Sequence, residues 1–158
     1  MTSDLLWRHL REDLIPEPTL FSEKEHKRLS SEEIGRAFMG LPRFRWIPGM
    51  ITNKGRVWEV SANTGDLRIC NGSEYLWWNL ERHSSLYLLV ETASSMAHLE
   101  GWLRELPWVE ALAVKGGRSG IWEYSVYFPS FSHTSSHTDQ RMALLRTAEI
   151  ATITYLEI

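Results

Sequence analysis

Cysteine is almost missing from this chain. Cys70 is the only one among 158 residues, which excludes an internal disulfide and fits a reducing compartment. Long apolar runs are missing too: no stretch approaches the roughly 20 residues of a membrane-spanning helix. The start, Met1-Thr2-Ser3-Asp4-Leu5-Leu6-Trp7-Arg8, lacks a basic segment followed by an apolar one. Together these absences predict a cytoplasmic protein with no membrane partner. There is no internal repeat, no low-complexity tract and no extended polar or Pro/Ser-rich segment. With 43% apolar and 23% charged residues the composition is that of a chain that folds by itself. The net charge of −3 argues against a protein held to nucleic acid by bulk electrostatics, although a local basic surface is compatible with it.

Catalytic fingerprints are absent in the same way. No Gly-x-Ser-x-Gly, Cys-x-x-Cys or dinucleotide-binding pattern occurs, and no cofactor is expected. Lys115-Gly116-Gly117-Arg118-Ser119-Gly120 has the glycines of a phosphate loop. It lacks the Gly-Lys-Ser/Thr ending and a following helix, so it reads as a mobile connection between strands.

The patterns that are present indicate mixed helix and sheet. Ser3, Ser22 and Ser31 each precede a segment suited to a helix start, with acids following Ser22 and Ser31, and the helical run ends near Gly40 and Pro42. From Arg56 the period changes to two: Val57, Glu59 and Ser61 alternate with Trp58, Val60 and Ala62 up to the turn Asn63-Thr64-Gly65-Asp66. Leu67 and Ile69 continue beyond it. Asn71-Gly72 is a second turn and leads into a third strand, Glu74 to Leu80. The continuous apolar run Ser85 to Glu91 is expected at the sheet centre.

A helix capped by Thr92 or Ser94 follows, with Met96, Leu99, Trp102, Leu103 and Leu106 on one stripe, and Pro107 ends it. Trp108 to Val114 and Ile121 to Phe128 are predicted strands. Residues 129–136 read as polar loop, and Asp139 to about Leu156 as a closing helix. The expected fold is therefore α+β: a mostly antiparallel sheet of five to six strands with helices on one face and a helical N-terminal extension. A single domain spans 1–158, with 1–42 as the extension and 56–158 as the core.

Eight tryptophans are the most unusual feature. Trp102 and Trp108 suit core packing. Trp77 and Trp78 are neighbours in a strand and must point to opposite faces, so one of them can belong to a partner surface. The stretch from Ile34 to Trp58 holds no acid, yet carries Arg36, Arg43, Arg45, Lys54 and Arg56 among Phe38, Phe44, Trp46 and Trp58. Such interleaving suits a nucleic-acid surface over residues 36–56. With no recognised nucleic-acid motif beside it, it better suits arginines paired with the acids of the N-terminal helices. The binding candidates are Arg43, Arg45, Trp46, Arg56, Trp77 and Trp78, for another protein, a second copy of the chain, or nucleic acid.

Six histidines invite a search for chemistry. His133 and His137 have the spacing that places two imidazoles on one helix face. Here it falls in the Ser/Thr-rich segment read as loop, and no metal site is assigned. The segment His83-Ser84-Ser85-Leu86-Tyr87-Leu88 resembles an H-x-[ST] motif of the 2H phosphoesterases, and His133-Thr134-Ser135 repeats the pattern. In that family two histidines act as acid and base on a phosphoester and the hydroxyl two residues on binds the phosphate. The resemblance implies His83, Ser85, His133 and Ser135 as catalytic residues acting on a nucleotide or RNA end.

From Trp58 to Ile150 the arrangement of a Trp-rich sheet, the helix Ser95 to Leu106, further strand and the terminal Met142-Ala143-Leu144-Leu145 helix resembles small proteins carried by phages and prophages. That resemblance implies an accessory role. The missing catalytic fingerprints and abundant large aromatics weigh toward a non-enzymatic binding protein, such as an inhibitor or adaptor, with the phosphoesterase and the nucleic-acid module as alternatives.

Overall fold

The computed structural model describes residues 29–80, 85–116 and 120–153. They form three helices and two antiparallel sheets, an α+β architecture. The chain divides into two compact units. One takes Leu29–Gly40 and Phe44–Leu99; the other takes Leu41–Arg43 and the chain from Glu100 on.

The first unit opens with helix α1, Ser31–Met39. Ser30 caps it and Glu33 reaches back to the Ser30 amide, so each side chain satisfies a backbone donor that the first turn leaves over. The cap falls one residue before the Ser31 that the sequence suggests. Ile34, Gly35 and Phe38 form its buried stripe. A four-stranded sheet follows in the order β1 (Ile51–Thr52), β2 (Gly55–Val60), β3 (Leu67–Asn71) and β4 (Glu74–Trp78), every pair antiparallel. Val57, Leu67 and Ile69 point to its buried face. Gly72 takes φ +67° in the tight turn between β3 and β4, a conformation that glycine adopts without strain.

The run from Ser85 to Glu91 does not become a central strand. Only Leu88 makes a bridge, to Thr52, with Leu89 N–H donating to the Ile51 carbonyl and Asn53 N–H to that of Tyr87. Leu86, Leu88 and Val90 are buried as a strand's inward residues would be. Strand β1 offers only two residues to pair with, and on the other flank Leu88 meets α1. Its amide hydrogen-bonds the Met39 sulfur, and its carbonyl stands 1.8 Å from where a Cβ on Gly35 would lie. The apolar run is consumed by packing under a helix.

Helix α2, Ala93–Glu105, begins in this unit and continues into the other. Thr92 caps it through its hydroxyl and carbonyl. Ser94 instead donates to the Gly49 carbonyl, and the Ser95 hydroxyl accepts from the Ile51 amide, tying the helix start to the sheet.

In the second unit β5 (Ala111–Lys115), β6 (Trp122–Tyr127) and β7 (Ser132–His137) form an antiparallel sheet, and helix α3, Gln140–Ile153, packs on β6 and β7. Strand β7 lies where the sequence reads as loop. Its alternation is carried by polar residues: His133, Ser135 and His137 turn inward and Ser132, Thr134 and Ser136 outward. A hydrophobicity pattern cannot register such a strand, and the ladder to β6 supplies its stability. The seven described strands thus stand in two sheets instead of one sheet of five to six. The proposed helices before Leu29 lie outside the described residues.

Polar groups enter the core of this unit, among them Ser135, Thr147 and Thr152. Tyr124 is fully buried, and its hydroxyl donates to Glu100 and accepts from Gln140, at 2.8 and 2.9 Å. Burial holds this phenol well above its ordinary pKa. Trp108 and Trp102 are buried as the sequence suggests, their indole N–H groups donating to the Ala151 and Arg43 carbonyls. No described helix is long and apolar enough to cross a membrane.

Candidate functional site

The outer face of the four-stranded sheet gathers the exposed aromatics. Register aligns Arg56, Cys70 and Tyr75 across β2, β3 and β4, and one step along it aligns Glu59, Arg68 and Trp77. These residues alternate with Val57 and Ile69, which are buried, so they share the opposite face. Between Val57 and Glu59 the register shifts by a bulge. The extra residue is Trp58, and its ring leans over β3 to stand edge-on to Tyr75, centroids 5.3 Å apart.

Arg68 completes the cluster. Its guanidinium lies 5.3 Å from the Tyr75 ring centroid and pairs with Glu59 at 3.3 Å. Cys70 is the β3 residue between Arg56 and Tyr75 on this face. Its thiol donates to the Gly72 carbonyl, and its hydrogen bonding and charge interaction raise the Tyr75 hydroxyl above the usual phenol value, with Arg68 opposing. Trp58 is 55% exposed and Trp77 51%. Both indoles keep large faces open on a sheet that fixes their direction.

The sequence-predicted residues are distributed as follows. Trp77 and Trp78 do point to opposite faces: Trp77 lies on the open aromatic face, and Trp78, opposite Leu67, is half-buried with the Lys54 ammonium 6.0 Å from its ring centroid. Arg56 is exposed on the aromatic face, two strands from Tyr75. Arg45 is exposed in the segment leading to β1, and Trp46 is half-buried with its ring edge-on to Phe44 at 5.4 Å. Arg43 belongs to the other unit, where its guanidinium lies 4.6 Å from the Trp108 centroid. Arg36 is paired with Glu32 and lies over Tyr87. The basic-aromatic stretch is therefore shared between the two units, with Arg36 paired to Glu32 and Arg43 stacked on Trp108.

His83 lies outside the described residues. Ser85 is exposed, and its carbonyl accepts from the Asn53 side chain. His133 and Ser135 are on β7, facing inward. Ser135 is buried with no hydrogen-bond partner for its hydroxyl. On a strand His133 and His137 share a face but stand roughly 13 Å apart, too far to share a metal ion. Among the described residues no group of three His, Cys, Asp or Glu is placed to hold one.

Tyr75 and Arg68 are absent from the sequence candidates, and Trp58 enters there only as part of the basic-aromatic stretch. The signal was present in the period-two run around Trp58, but a bulge was needed to turn its ring toward β4. No family model, curated protein or solved structure matches this chain.

Proposed function

We propose that this protein is a non-enzymatic binding protein that engages another protein through the outer face of the four-stranded sheet, with Trp58, Tyr75 and Trp77 as anchors. The observation that carries the reading is the exposure of Trp58 and Trp77 on one strand-held face. Large rigid aromatics that have already lost their freedom in the free protein are what binding hot spots use. A protein partner is favoured over nucleic acid because Arg68 is already paired with Glu59 on that face and the chain carries net charge −3. The resemblance to phage-carried proteins fits an inhibitor or adaptor.

The test is affinity capture from the native host with the wild-type chain and with Trp58→Ala/Trp77→Ala. A partner retained by the first and lost by the second supports the reading. An unchanged set of captured proteins overturns it. A captured nucleic acid whose retention falls steeply with salt would replace it with the nucleic-acid alternative.

A further inference from the structure

Strand β4 is the outer strand of its sheet, and all of it but Trp78 is exposed. The two-residue connection Gly72-Ser73 makes Asn71 and Glu74 the hydrogen-bonded pair that closes the hairpin. Strict alternation then makes Leu76 and Trp78 the residues that exchange bonds with β3, and turns the N–H and C=O groups of Tyr75 and Trp77 away from it. An edge of this kind is a template for another strand. Within β4 there is no proline, no lysine and no bulge, and its one charge is Glu74 at the turn end.

We propose that β4 pairs antiparallel with β4 of a second copy of this chain, Leu76 facing Leu76 of the copy, so that two four-stranded sheets join into one. The proposal rests on the reading of this sheet as a binding surface and names its partner. Self-complementarity picks the register, because this alignment alone overlaps all five residues of β4. Tyr75 and Trp77 then exchange their free backbone bonds with Trp77 and Tyr75 of the copy, placing two aromatic cross-strand pairs on the outer face. On the opposite face Leu76 meets Leu76 across a close, non-hydrogen-bonded pair.

Charge agrees with this register. Glu74 falls opposite Trp78 of the copy, the ring over which Lys54 sits. Each junction end therefore sets a carboxylate beside an ammonium, twice by symmetry, and nowhere opposes like charges.

The experiment uses the full chain. Sedimentation or light scattering across micromolar to high micromolar concentration is expected to show a dimer. In a Cys70→Ser background, Leu76→Cys is expected to form a disulfide-linked dimer on mild oxidation, since this pair brings the two Cβ atoms within bonding range. Thr64→Cys, on the exposed β2–β3 connection, is the control and should remain monomeric. Glu74→Lys should weaken association about tenfold, and adding Lys54→Glu should restore it.

A monomer at every concentration overturns the proposal, as does equal cross-linking of the two cysteine variants or no restoration by the second charge reversal. The wild-type measurement does not depend on any variant folding. The broader reading is decided separately by the capture experiment, so a monomer that still loses a captured protein on Trp58→Ala/Trp77→Ala would exclude only the second copy.

Discussion

Trp58 stands edge-on to Tyr75 at an interplanar angle of 76°, although the two residues are on strands that do not touch. The contact spans β3, the strand between them. Because both rings are exposed, their interaction should add little to stability. A double-mutant cycle of Trp58→Ala and Tyr75→Ala in urea should give a coupling of about 0.5 kcal/mol. A coupling well above the range of exposed aromatic pairs would show that the contact is chiefly structural.

Gly35 is required by a neighbour and not by its own backbone angles. A Cβ there would meet the Leu88 carbonyl oxygen at 1.8 Å, inside a buried contact between α1 and the 85–91 segment. Gly35→Ala should destabilise the chain by about 2–3 kcal/mol in chemical denaturation, against the gain the same change brings in an open helix.

Ser135 separates the binding reading from the phosphoesterase one. Its hydroxyl is buried without a partner, so Ser135→Ala removes an unsatisfied polar group. The variant should be as stable as the wild type or up to about 1 kcal/mol more stable. Loss of a phosphoesterase activity on this substitution, with stability unchanged, would restore the catalytic role that the sequence resemblance implies.

Glu149 on α3 should impose a pH dependence of one sign. Burial pushes its carboxyl up to about 7 from the usual 4.5, with Arg146 opposing. Between those values the folded chain holds a proton that the unfolded chain has released, so this residue's contribution to stability falls as pH rises through the window. Glu149→Gln should gain on the wild type from about pH 5 to about pH 8. The difference should reach on the order of 1–2 kcal/mol after solvent screening, read as a rise in melting temperature.

Asp139 should act with the opposite sign. It caps α3 through the Arg141 amide and also holds the Arg141 guanidinium, with contacts of 3.0 and 2.7 Å. These hydrogen bonds lower its pKa below the usual 3.8 despite partial burial. The stabilisation is present above that value and is lost as pH falls through the folded one. Asp139→Ala should cost about 1–2 kcal/mol at neutral pH, and the gap to the wild type should close in acid.

Local chemistry was legible from the chain because its partners are close in sequence. The start of α1 was legible to within one residue, the cap falling on Ser30 and not Ser31, while Thr92 caps α2 and Gly72 closes a hairpin whose strands alternate visibly. The same alternation placed Trp77 and Trp78 on opposite faces. These features depend on neighbours a few residues away, and each carries its own hydrogen bonds or steric preference.

What tertiary structure decided is where a segment had to find a distant partner. Residues 85–91 have the composition of a central strand but meet a two-residue edge on one side and a helix on the other, so the ladder never forms. Residues 132–137 lack hydrophobicity yet become a strand because β6 offers a full edge. Arg43 and Arg56 are close in sequence, but the first lies over Trp108 and is grouped with the other unit. The tryptophan count belongs to the sequence; which rings are left open was determined by a one-residue bulge at Trp58 and by the place of β4 at the sheet edge.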